Sequence, residues 1–405
     1  MRSLSSLGNK PLYLTAVLAA VVGLALFGVV GVGREGTGNF DMAFLYAAGR
    51  TWLRGMNAYV LAERQASVAN FPFDVYAFAY PPTVFPLAII LGYGSFAEAK
   101  LVMLGLNLLS IWSLCTYCVR MAAPFDSAPA PRQGAYRYLI PAIIIGNPFT
   151  AHVVWMGQTS LIVAASIAWG YHFATHKRWL LGGLLLSIGT IKPQFSVIAL
   201  LWLAIHSKFR AVGAAGVISL LFSVGPLLIC GPFATARSWM EDVQVYKANP
   251  SNAVDFEHSF GLQSFLFHLN IHIPALALIA LAVVLVICFT RSKLLEGDIL
   301  PILLGTALLF GVAHDYDLVV VAPIVPSLWR HVRATATPQS AMALLAMGCM
   351  FLPQRALKPF HSAALLQFRV IILSAVLAWL FVLSTREARK ENNLESLGEA
   401  PKPSP

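Results

Sequence analysis

Charge is what this 405-residue chain has least of: 11% of its residues are Asp, Glu, Lys or Arg, and 58% are hydrophobic. A soluble domain carries about 25% charged residues, so a water-soluble fold is excluded. The five cysteines are scattered through apolar segments, which argues against a disulfide framework. Cys115 and Cys118 do form a C-x-x-C. They lie inside an apolar run with no second pair nearby, so they read as small buried residues. No internal repeat is visible, and no paired His or carboxylates stand at the spacing of metal ligands on adjoining helices.

What is present is a series of apolar runs, several close to the roughly 20 residues that cross a bilayer. The net charge of +10 would suggest nucleic acid in a soluble protein, but here the basic residues cluster in short loops between apolar runs. That is the positive-inside pattern of a polytopic membrane protein, so no nucleic-acid partner is expected. The first run, from Pro11, follows Arg2 and Lys10. It is longer than a signal-peptide core and lacks a convincing cleavage site, so it reads as a retained helix with a cytoplasmic N-terminus.

The expected architecture is all-α, with about twelve spans near residues 11–33, 96–120, 138–152, 158–175, 179–192, 193–206, 210–230, 271–290, 298–313, 315–330, 337–354 and 365–385. Residues 1–385 form one integral-membrane domain, and 386–405 a cytoplasmic tail, polar, Pro-rich and disordered beyond Lys390. The stretch "PPTVFPLAIILGYG", Pro81 to Gly94, is short for a crossing and reads as a juxtamembrane helix. Residues 34–95 then form a long extracytoplasmic loop, and the basic loops before the tail keep to the inside.

This threading gathers the unusual polar clusters on the outer face. Asp41 starts an amphipathic segment, with Asn39 as its N-cap. A carboxylate in a first turn is stabilised by about 0.3–1 kcal/mol, which favours the ionised form that accepts a proton; the bland alternative is a residue that only offsets the helix dipole. Lys192 precedes Pro193, and proline disfavours helical geometry at the residue before it. A broken helix that exposes Lys192 to a polar cavity suits a phosphate, against the plainer reading of a cation at a helix C-terminus. His314, Asp315 and Asp317 join two apolar runs, and His314 is a candidate phosphate or sugar contact. Gln158 and Tyr80 are further candidates, set against a helix–helix hydrogen bond and a simple turn. Asp74, Asp255, Glu257 and His258 lie in the outer loops and could join the others only through folding.

The stretch "FDMAFLYAAGRTWLRGMNAY", residues 40–59, resembles the first-loop signature of glycosyltransferase family 87. The later "FAYPP", "GQTS", "IKPQ" and "HDYD" follow in that family's order and at similar spacing, so the resemblance runs from about residue 37 to 330. It implies a GT-C-like fold with extracytoplasmic juxtamembrane helices, in the plasma (inner) membrane, with both termini cytoplasmic. It also implies transfer of a hexose, mannose in that family, from a polyprenyl-phosphate-linked donor to a hydroxyl of a glycolipid or glycan acceptor, with inversion. Asp41 would be the general base. Lys192, His314, Gln158 and Tyr80 would bind the donor phosphate or sugar, with Tyr46, Arg50, Glu257, His258 and Asp315 as secondary candidates. No cofactor and no metal is expected. The rival readings are a transporter or flippase of a lipid-linked sugar, in which broken helices with buried charges also occur, and a non-catalytic scaffold.

Overall fold

The computed structural model describes residues 10–34, 40–69, 75–123, 134, 136–253, 256, 259–273, 296–311, 313–335, 342, 345, 346, 348 and 367–398. Helices dominate. Three are long and apolar enough to cross a membrane: Lys10–Val32 (α1), Phe96–Ala122 (α5) and the stretch Phe368–Glu387 of the last helix. Two bent pairs qualify as single broken spans. Tyr136–Gly146 (α6) with Pro148–Met156 (α7) bends by 50°, and Phe209–Phe222 (α11) with Val224–Cys230 (α12) bends by 47°. The chain is a helical membrane protein with three to five such spans among the described residues, and further apolar helices too short to count.

The short helices explain the difference from twelve. Ser160–Thr175 (α8) has 16 residues, Trp179–Gly189 (α9) 11, and Pro193–Ile205 (α10) 13. At 1.5 Å per residue, α9 is about 16 Å long, roughly half the hydrocarbon thickness. The expected span at 315–330 is also different: Asp315–Val321 is a 3-10 turn, followed by Ile324–Thr335 (α16). Its apolar residues are buried against protein, not strung along one crossing helix. The expected span at 271–290 lies almost wholly outside the described residues, as does most of 337–354. The last helix, Phe368–Gly398 (α17), continues past Lys390, where a disordered tail was expected.

Local chemistry sets the element ends. Ser95 and Glu98 form a reciprocal capping box at the start of α5, which satisfies two orphan amides. Asn147 accepts from the Phe149 amide at the start of α7, and Gly157 ends α7 with φ +63°, a left-handed conformation that favours glycine. Proline opens α7, α10 and the later helix Pro232–Ala248 (α13), where a missing N–H costs nothing.

At the centre, α8 is buried on nearly all sides and packs against α5 and α9. This is the signature of a helix surrounded by protein. Helix Phe40–Leu53 (α2) meets Phe85–Tyr93 (α4) backbone to backbone at Gly49 and Gly92. A Cβ on Gly49 would run into the Ala88 carbonyl oxygen, and one on Gly92 would lie 2.5 Å from the Gly49 carbonyl carbon. A small two-stranded sheet pairs Ser259–Phe260 (β1) with Ala313–His314 (β2), antiparallel, with Ser259 opposite His314. Between α2 and α4 runs Leu61–Ser67 (α3). Leu262–His268 (α14) and Glu296–Phe310 (α15) complete the chain order.

Candidate active site

Asp41 sits in the first turn of α2, whose other residues Met42, Leu45, Tyr46, Ala48 and Trp52 are buried. The helix expected to be amphipathic is instead buried on nearly all sides over 42–52, with the carboxylate at its N-terminal edge. Asp41 itself is half-buried. Its Oδ2 is buried and, among the described residues, accepts no hydrogen bond. Burial raises its pKa from the ordinary 3.8 to about 6, against the Gln158 hydrogen bond and the Lys192 charge, which lower it; the Asp317 charge adds to the rise. Asn39, the expected N-cap, lies outside the described residues.

Gln158 is the hub beside it. The left-handed Gly157 turns the chain out of α7, and Gln158 follows, 3% exposed. Its Oε1 accepts from the Tyr80 hydroxyl at 3.2 Å and from the Thr159 amide at 3.2 Å, while Nε2 donates to the Tyr316 hydroxyl at 3.0 Å. Nε2 has a second N–H on the same nitrogen, and the Gln158 side chain lies close enough to Asp41 to favour its ionised form.

Lys192 occupies the break between α9 and α10, where the chain leaves helical geometry before Pro193. Its ammonium lies 2.7 Å from Asp317 Oδ1 and 2.8 Å from Ser160 Oγ, over the Tyr316 ring at 5.3 Å. Ser160 also donates to Asp317 Oδ1 at 2.6 Å. The other Asp317 oxygen accepts from the His314 amide at 3.2 Å. The His314 ring stacks on Tyr316 with centroids 5.2 Å apart, and its Nε2 lies 3.3 Å from the Tyr246 hydroxyl. The result is an acid, a glutamine hub, a cation–carboxylate pair and a wall of tyrosines drawn from six separate stretches of chain. Among the described residues no three His, Cys, Asp or Glu are grouped to hold a metal.

A family model described as glycosyltransferase family 87 matches residues 78–312, more than half of the chain. The chain belongs to glycosyltransferase family 87. No curated protein and no solved structure matches it.

The family 87 match contains Tyr80, Gln158, Ser160, Lys192 and Tyr246 but stops short of both ends of the site. Asp41 precedes it, and His314 through Asp317 follow it. The fold brings these into one cluster with the matched residues. It does not bring in Tyr46 and Arg50: Tyr46 donates to the Gly94 carbonyl at 3.3 Å and meets the Phe96 ring, and Arg50 lies over Tyr46. Asp315 is buried beside the segment and lies 4.0 Å from Arg369 Nη1 of α17. Glu257 and His258, like Asp74 and Asp255, lie outside the described residues.

Four residues of this family 87 cluster had no assigned role in the sequence. Ser160, Tyr316 and Asp317 stood inside "GQTS" and "HDYD", so the motifs pointed at them without separating them from their neighbours. Tyr246 had no signal at all, because its contact with His314 joins positions 68 residues apart.

Proposed function

We propose that this glycosyltransferase moves a hexose, mannose in this reading, from a polyprenyl-phosphate-linked donor to the hydroxyl of a glycolipid or glycan acceptor on the extracytoplasmic side of the membrane. Asp41 is the general base, and the reaction inverts the anomeric centre. The observation that carries this reading is the buried Oδ2 of Asp41, which has no hydrogen-bond donor among the described residues. An orphaned acceptor at that depth costs free energy unless a donor arrives, and an acceptor hydroxyl is such a donor.

The acceptor oxygen attacks the anomeric carbon as its proton passes to Asp41 Oδ2. The bond between that carbon and the phosphate oxygen breaks, and the electron pair leaves on the lipid phosphate. A phosphate is a good leaving group, so stabilising its charge matters more than protonating it, and the carboxylate pair of typical glycosidases is not needed. Lys192 has three N–H donors. Ser160 and Asp317 take two in the resting site, which leaves one for the departing phosphate, with His314 as a second contact. A base with a pKa of about 6 is better matched to neutral pH than an ordinary aspartate. No nucleotide, cofactor or metal enters this scheme.

The test gives purified protein in lipid nanodiscs a labelled polyprenyl-phosphate hexose and candidate acceptors, with and without chelator. Transfer that is lost in Asp41→Asn supports the reading. Movement of the labelled lipid across a bilayer without transfer would replace it with the flippase reading.

A further inference from the structure

The loop between α2 and α4 is fastened to α13 through a buried ion pair that the transfer chemistry does not use. Arg64 on α3 is fully buried, and its Nη1 lies 2.9 Å from Asp242 Oδ2. Nη1 also donates to the Ala58 carbonyl and Nη2 to the Tyr76 carbonyl. Asp242 Oδ2 accepts in turn from the Phe78 amide at 2.8 Å.

These bonds belong to a larger pattern. The extended run 75–81 is held at four of its residues, 76, 78, 79 and 80, by four side chains. Arg64 bonds the Tyr76 carbonyl, Asp242 the Phe78 amide, Trp239 the Ala79 carbonyl and Tyr59 the Tyr80 carbonyl. Asn57 adds a bond to Ser238 at 3.1 Å. On α13 the positions used are 238, 239 and 242, and Tyr246 follows one turn beyond Asp242. A spacing of three or four residues keeps them on one helix face. Both ends of the arrangement finish in the site: Tyr80 donates to Gln158, and Tyr246 meets His314. Both tyrosines also lie close enough to Asp41 to feel its charge.

A buried ion pair adds little stability, since an apolar pair of the same volume often does as well or better. The Nε of Arg64 is buried without a partner among the described residues, a further cost. What the charged pair supplies is direction, because a guanidinium fork and a carboxylate accept only a narrow range of geometries. We propose that Arg64 and Asp242 are positioning residues, which set Tyr80 and Tyr246 against Gln158 and His314 and so shape the surroundings of Asp41. The effect on transfer rests on the function proposed above; the effect on geometry does not.

The test uses the full-length protein in nanodiscs, with Asp242→Asn and, as a milder change, Arg64→Lys. Removing one partner of a buried pair leaves a charge stranded. Hydrogen exchange in peptides covering 75–81 and 238–248 should then rise by about a hundredfold in Asp242→Asn. Peptides of α8 should be unchanged, and Arg64→Lys should fall between. In the transfer assay, kcat should drop while the apparent KM for the donor lipid stays within about twofold. Unchanged exchange at 75–81 overturns the proposal, as does exchange that rises throughout the chain. Because exchange needs no turnover, it judges the geometry even if Asp41→Asn transfers normally and the functional reading falls.

Discussion

The ammonium of Lys192 lies 2.7 Å from Asp317 Oδ1, so the cation suited to a donor phosphate already has a carboxylate against it. Both side chains are almost wholly buried, and each needs the other. In the function proposed above, a donor phosphate would approach a neutral pair and would share Lys192 with Asp317, rather than fall into an open positive pocket. Each expectation below follows from this pair or from Asp41.

Asp41→Asn should fold, bind donor lipid and transfer sugar poorly. General-base assistance is worth about 10²–10⁴-fold, and the loss should appear in kcat with donor binding retained. Single-turnover transfer with a labelled donor measures it; a wild-type rate would remove Asp41 from the chemistry.

Transfer should depend on pH through Asp41. The base works only when ionised, so the rate should climb about tenfold per pH unit below about 6 and level off above it. The effect on stability runs the other way. The folded pKa is above the unfolded one, so the stabilising contribution is present below the ordinary 3.8 and is lost as pH rises through about 6. The total is on the order of 3 kcal/mol. Asp41→Asn should therefore unfold at a higher temperature than wild type at pH 7.5 and at nearly the same temperature at pH 4.

Lys192→Ala should weaken donor binding and also destabilise the protein, by about 3–5 kcal/mol, because Asp317 would be left buried and uncompensated. Lys192→Ala with Asp317→Asn should recover much of the stability but not the affinity for the lipid phosphate. Thermal unfolding and a donor-binding titration separate the two effects. If the double variant binds donor like wild type, Lys192 has no part in holding it.

Gly49→Ala should displace α2 from α4. Overpacking a close contact costs about 1–3 kcal/mol, and here the obstacle is backbone, which cannot rotate away. Reduced thermal stability together with lost transfer at every pH would mark a moved Asp41, in contrast to the pH-dependent behaviour of wild type.

The parts of the site set by local rules were legible in the sequence. The amphipathic spacing after Phe40 gave α2 with Asp41 in its first turn, and the Lys192-Pro193 pair announced the break between α9 and α10. The polar motifs "GQTS" and "HDYD" marked two stretches that meet at Lys192. Hydropathy misled where burial in protein and burial in lipid look alike: the apolar residues of Asp315–Val321 form a 3-10 turn packed inside the bundle. Partnerships between distant segments were invisible, because nothing near Tyr246 or Arg64 reveals that each meets a residue 68 or 178 positions away.

The Tyr46 contact between α2 and the start of α5 has one more consequence. Helix α4 ends at Tyr93, two residues before the cap of α5, and Tyr46 of α2 bonds the intervening Gly94. Helix α5 has 27 residues, about 40 Å of length against a hydrocarbon slab of about 30 Å, and such surplus is absorbed by tilt. A change of tilt in thinner or thicker lipid would bear on α2 through the Tyr46 contacts with Gly94 and Phe96, and α2 carries Asp41 in its first turn.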